Sequence, residues 1–217
     1  KAKKIKVISY EEMLEMASLG TKVMQPTSLQ DARLNRIDVD VKSSFTNKEG
    51  TLITKKKNIY SKKNIRGVSF TKNDSKITLV GVKDKPGVAA SVFKPLSENF
   101  INVDMVVQTS SGNKRETDIT FTIKSDDLLK TLRLIKQNKK IKCKDLIIDK
   151  NVSKVSIVGV GMVTSPGVTY RMFKALAKKN INILVISTSE IKISVLINKK
   201  YIIKAVSALH KEFNLDN

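Results

Sequence analysis

The stretch KITLVGVKDKPGVAASVFKPLSENFINVDMVVQ (76–108) decides the fold, because it recurs as KVSIVGVGMVTSPGVTYRMFKALAKKNINILVIST (154–188). A two-residue insertion before Ser165 brings Pro86-Gly87-Val88 onto Pro166-Gly167-Val168. Phe93-Lys94 then falls on Phe173-Lys174, Leu96 on Leu176, and Ile101-Asn102 on Ile181-Asn182. Agreement at Pro, Gly, Phe and Asn goes beyond shared hydrophobicity, so the chain carries an internal duplication.

Each copy reads as an ordered set of elements. KITLVGV and KVSIVGV are β-branched and close on Gly or a polar turn, which predicts strands. Pro-Gly-Val then opens a helix, since proline lacks an N–H that would have no partner in a first turn. Val88, Val92, Phe93 and Leu96 recur at helical spacing, as do Val168, Met172, Phe173 and Leu176. A second strand follows, INVDMVVQT or INILVISTS, and a third, 117–123 or 191–197. Amphipathic helices are predicted over 126–137 and 201–213, and a fourth strand, CKDLIID, over 143–149. Strand–helix–strand–strand–helix–strand is the ferredoxin-like βαββαβ arrangement, an α+β fold. The second copy lacks its last strand. IRGVSF (65–70) precedes the first copy and is the candidate that completes the second.

The formal charge of +21 raises the question of nucleic acid. Of 41 basic residues only six are Arg, the residue that dominates base-specific contacts, and the lysines spread along the whole chain. Aromatic residues make up 5% and do not interleave with the basic runs as stacking platforms would. A basic nucleic-acid-binding protein is therefore the weaker alternative. No run approaches the roughly 18 apolar residues of a membrane span, and the opening KAKKIKVISYEEM has no signal-peptide pattern. The single Cys143 excludes an internal disulfide and fits a reducing, cytoplasmic setting, where it reads as a small strand residue. Met13, Met16 and Met24 read as packing residues and His210 as structural or exposed. Glu11, Glu12 and Glu15 read as the solvated face of a helix. No metal spacing and no nucleophile–base constellation is present in the sequence.

Four stretches resemble the regulatory part of the aspartokinase family. ISYEEMLEMASLGTKVMQ (8–25) is similar to a helix and turn near the end of that family's kinase domain, and VKSSFTNKEGTLI (41–53) to its closing strand. KITLVGVKDKPGVAASVF with INVDMVVQ resembles its first ACT module. VSIVGVGMVTSPGVTYRMFKALAKKNINILVISTSEIKISVLI resembles the second. The resemblance implies four parts: the end of an α/β amino-acid-kinase domain (1–55), a linker (56–64), ACT module 1 (65–150) and ACT module 2 (151–217). The family's phosphate-binding lysine-glycine motif and its Asp-Pro-Arg-type loop are absent. Gln25-Pro26-Thr27-Ser28 stands where an Arg before the Ser is common, and Asp40 where Arg is frequent. The stretch by itself is thus expected to be inactive, with ATP and Mg2+ used by the full-length aspartate kinase. The kinase domain would lie in cis or, as the alternative, in a partner chain served by a stand-alone amino-acid-sensing subunit.

The resemblance also implies an amino-acid effector, lysine and/or threonine, held between the helix start of one ACT module and the second strand of a facing one. A homodimer through the ACT modules follows from the same resemblance. Matched by motif, module 1 contributes Asp84, Gly87, Val88, Ala89, Asn102, Val103, Asp104 and Gln108. Module 2 contributes Val168, Thr169, Asn182, Ile183, Thr188 and Ser189. The chemistry suits a free amino acid: helix-start N–H groups favour its carboxylate, and Asp84 can accept from its ammonium. The loop Met162-Val163-Thr164-Ser165 has no Asp, so two occupied sites would differ.

Overall fold

The computed structural model describes residues 3–20, 23–55, 64–110, 116–162 and 165–216. The chain divides into two compact units, one of 1–71 with 154–217 and one of 72–153. Most of the linker, 56–63, lies outside the described residues, as do 163 and 164 of the second helix-start loop.

In the first unit, β1 (Val7–Ser9) runs parallel to β3 (Thr51–Thr54), and β2 (Val39–Val41) pairs antiparallel with β3. Helices α1 (Tyr10–Ser18) and α2 (Pro26–Leu34) pack Met13, Ala17 and Leu29 against Ile8, Tyr10 and Ile53. Ser9 starts α1 with a capping box: its hydroxyl accepts from Glu12 N–H while the Glu12 carboxylate reaches back to the Ser9 N–H. The Tyr10 hydroxyl donates to the Ile37 carbonyl. Burial, with Asp38 nearby, raises the pKa of that phenol.

Two long strands correct the sequence reading. β4 runs unbroken from Gly67 to Lys83 and β7 from Asp145 to Val158, where two separate strands were expected in each stretch. Asn73, Asp74 and Ser75 are residue types that favour turns, yet Asp74 and Ser75 pair with Lys124 and Ile123. Tertiary pairing overrides the local preference there. Cys143 accordingly sits just ahead of β7, half-buried against the core of 72–153.

Within 72–153 the strand order is β5-β6-β4-β7, with β5 Val103–Ser110 and β6 Glu116–Lys124. Helices α3 (Val88–Glu98) and α4 (Leu128–Gln137) contribute Val92, Leu96 and Ile135 to the core around Phe121. Pro95 lies inside α3 and cannot donate to the Ser91 carbonyl. The Asn138 side-chain amide donates to that carbonyl instead, at 3.0 Å. A bulge in β4 places Gly81 at φ 64°, its N–H donating to Asp118.

Within the first unit the order is β4-β7-β9-β8, with β8 Ile183–Thr188 and β9 Lys192–Asn198, covered by α5 (Val168–Ala177) and α6 (Ile202–Glu212). The 65–70 segment belongs to this unit. Arg66 N–H donates to the Val158 carbonyl at 2.8 Å, and Ile65, 2% exposed, packs with Val155, Ile157 and Leu209. His210 faces Asp216 at 3.1 Å near the end of α6.

Truncating Ile65 removes apolar volume from the core around α5 and α6 rather than from the core around Phe121. Ile65→Ala is expected to lower unfolding stability by about 2–5 kcal/mol. Chemical denaturation read by hydrogen exchange should show the loss first in β8, β9, α5 and α6; a loss confined to β5 and β6 would contradict the assignment.

Candidate functional site

Both helix starts are built alike. Gly87 and Gly167 occupy the left-handed region, at φ 85° and 92°, as the residues immediately before α3 and α5. A Cβ at either glycine would meet nothing within 4 Å, so each turn faces open space. Neither helix has a side-chain cap. Ser91 N–H bonds the Gly87 carbonyl, and Arg171 N–H bonds that of Gly167. In α3 this leaves the N–H groups of Ala89 and Ala90 without an intrahelical acceptor.

Around the first helix start, Asp84, Lys85, Pro86, Gly87, Val88, Ala89 and Gln108 line one cavity of about 450 Å³. The carboxylate of Asp84 and the amide of Gln108 therefore share a space with the start of α3. A larger cavity, about 690 Å³, lies on another flank of the same turn and is lined by Lys83, Lys85, Lys139, Lys140 and Lys142 with Gly87 and Ser91. The turn thus has Asp84 on one flank and a cluster of lysines on another. Lys85 reaches both, and the sequence reading passed over it as one lysine among many.

The remaining module 1 residues separate from that cavity. Asn102 and Val103 line a different hollow of about 470 Å³ with Phe93, Ser97, Phe100 and Val106. Asp104 accepts from its neighbour Met105 N–H at 2.9 Å. Met105 has φ 41° at a bulge between Asp104 and Val107.

In the second module Val168 is buried and Thr169 exposed at the start of α5. Asn182 is exposed, Ile183 half-buried and Thr188 exposed along β8. Ser189 N–H donates to the Lys192 carbonyl at 2.8 Å, which closes the turn into β9 and commits that donor to the protein.

Glu12 and Glu15 were misplaced by the sequence reading. Glu12 is 1% exposed rather than solvated, and Glu15 pairs with Lys192 at 2.9 Å. The spacing Ser9-Tyr10-Glu11-Glu12 carried the signal, since Ser-x-x-Glu is a capping box and turns the Glu back toward the helix start.

Residues 77–138 and 155–213 match the ACT domain family. The chain is 45% identical over 218 residues to the aspartokinase of Pseudomonas aeruginosa, across 99% of this chain and 53% of that protein. It therefore spans about half the length of the curated relatives it matches. The ligand-free regulatory subunit of aspartate kinase from Thermus thermophilus superposes with a TM-score of 0.65 at 38% identity, over 70% of this chain and 99% of that one. E. coli aspartokinase III in complex with lysine and aspartate superposes with a TM-score of 0.73 at 26% identity, over 97% of this chain and 46% of that one.

Because open space surrounds Gly87, a side chain there meets strain but no clash. Gly87→Ala should cost about 1–2 kcal/mol from the left-handed backbone alone, and Gly87→Asn less. Thermal melts of the two variants check the order; equal melting temperatures for both variants and the parent would contradict it.

Proposed function

The chain belongs to the aspartokinase family, as its paired-ACT regulatory part, and from that premise we propose that it makes a kinase answer to a free amino acid. The whole protein would transfer the terminal phosphoryl group of Mg-ATP to the side-chain carboxylate of aspartate. The effector would be lysine, threonine or both, sensed in the cytoplasm. One observation carries the effector reading: the 450 Å³ cavity that gathers Asp84, Gln108 and the start of α3. There the effector ammonium meets Asp84, and its carboxylate meets the helix-start N–H groups with the lysines beyond. E. coli aspartokinase III, a structural relative, was crystallised with lysine. The core formed by Ile8, Tyr10, Leu29 and Ile53 favours a kinase domain in cis over a separate sensing subunit, because those residues build a sheet-and-helix layer outside both ACT modules.

We also propose a homodimer through the ACT modules. β5 and β8 are the two outer strands in the order β5-β6-β4-β7-β9-β8, and they expose Val106, Leu184 and Ile186. Unpaired, partly apolar strand edges favour pairing with a second copy. Light scattering at tens of micromolar with effector present should return twice the chain mass; a monomer mass would contradict it.

Asp84→Ala should remove the partner of the effector ammonium while leaving the fold intact, since Asp84 is exposed. Losing a charged hydrogen bond of about 1.5–3 kcal/mol weakens binding roughly ten- to hundredfold. Calorimetric titration of lysine and threonine, singly and together, into parent and variant tests this. Unchanged affinity for every effector that binds the parent would remove Asp84 from the site.

A further inference from the structure

We propose that Glu12 is a positioning residue that ties helix α1 to the 3-10 turn Val160–Met162, so that a shift of that turn is passed to α1. Its regulatory use rests on the function proposed above, because α5 begins with the candidate effector residues Val168 and Thr169.

Among the described residues Glu12 is the only buried carboxylate. Its Oε2 accepts from Ser9 N–H at 3.4 Å and lies 3.5 Å from Arg66 Nε. Its Oε1 accepts from Val160 N–H at 3.1 Å. Three segments therefore converge on one side chain: the start of α1, the entry to β4 and the first residue of the 3-10 turn Val160–Met162. Capping α1 requires only the bond to Ser9, and a cap on a helix surface leaves the other oxygen to water. Here the second oxygen holds a backbone N–H from a residue far along the chain.

Packing limits how the loop can move. A Cβ at Gly159 would strike the Asn64 carbonyl and Ile65 Cα, and one at Gly161 would lie 2.7 Å from Asn64 Cα. The backbone at Gly159 and Gly161 thus packs closely on the chain at 64–65, which opposes movement toward it. Moving alone breaks the Val160–Glu12 bond and leaves a buried charge underpaired, which is costly. Moving with α1 keeps that bond. Arg66 reinforces the junction, donating from its guanidinium to the Val7 carbonyl at 3.1 Å. The carboxylate therefore makes joint displacement the cheaper route.

The test uses the full-length protein that carries this chain. Gly161→Ala presses the loop away from Asn64 and leaves the carboxylate in place. It should speed hydrogen exchange in the α1 peptide (residues 10–18) about tenfold without any effector. Glu12→Gln keeps the shape and removes the charge; in that background Gly161→Ala should add nothing to α1 exchange. In kinase assays with L-lysine plus L-threonine, Glu12→Gln should leave the uninhibited kcat and KM unchanged. It should raise the half-inhibitory concentration by about five- to 150-fold. A glutamate that merely stabilises the fold would lower the melting temperature and leave both the Gly161→Ala increment and the inhibition curve as they were; that result overturns the proposal. Equal α1 exchange in Gly161→Ala and the parent overturns it as well, and this comparison decides alone should Glu12→Gln fail to fold. If neither amino acid inhibits the parent enzyme, the proposed effector function fails, while hydrogen exchange still decides the coupling.

Discussion

The sheet beneath α5 and α6 needs one strand that the second module does not itself contain. Its own residues supply the end of β7, then β8 and β9. The closing strand comes from 67–71, ahead of the first module in sequence. Much else follows from this borrowing. β4 has to continue through 71–75 despite turn-forming residues, because it serves one unit before Thr71 and the other after it. β7 makes the reverse passage between Ser153 and Lys154. The entry to β4 also brings Arg66 and Ile65 beside Glu12 and the core under α5.

The two copies kept their burial and changed their chemistry. Residues 101–110 and 181–190 alternate between buried, half-buried and exposed positions in the same order. Ile101 and Met105 are buried in one, Ile181 and Val185 in the other. Several exposed positions differ, although Asn102 and Asn182 agree: Gln108 stands where the second copy has Thr188. Both helix-start glycines keep a left-handed backbone facing open space. The duplicated framework thus holds two similar stages, while the side chains that would meet a ligand differ between them.

Where the sequence was legible, the cause was periodic burial. Helices α3 and α5 followed from Val88, Val92 and Leu96 and from Val168, Met172 and Leu176, all buried. Pro-Gly-Val marked both helix starts because proline and left-handed glycine each have few other uses there. Asp84, Gly87, Val88, Ala89 and Gln108 line one cavity, while Asn102 and Val103 line another. A bulge at Met105 lies between Val103 and Gln108 in β5, and bulges leave little trace in one sequence. Glu12 was illegible for a different reason. Its burial arises from Val160 and Arg66, residues far along the chain, so local spacing suggested a wet helix face. The continuity of β4 and β7 was hidden in the same way, since pairing partners rather than local residues hold 71–75 extended.

The hydrogen bond from Arg66 to Val158 has a consequence for biosynthesis. The strand at 67–71 leaves the ribosome before 72–153, yet its neighbour emerges only after that stretch is complete. During translation the segment must wait unpaired, with Ile65 exposed and its backbone donors bound to water, while 72–153 is completed. Contacts so distant in sequence slow folding. They also leave a strand that a second nascent chain can capture at the same step, which is the route to domain-swapped products in multidomain proteins. The second module can therefore close only after 72–153 has been synthesised.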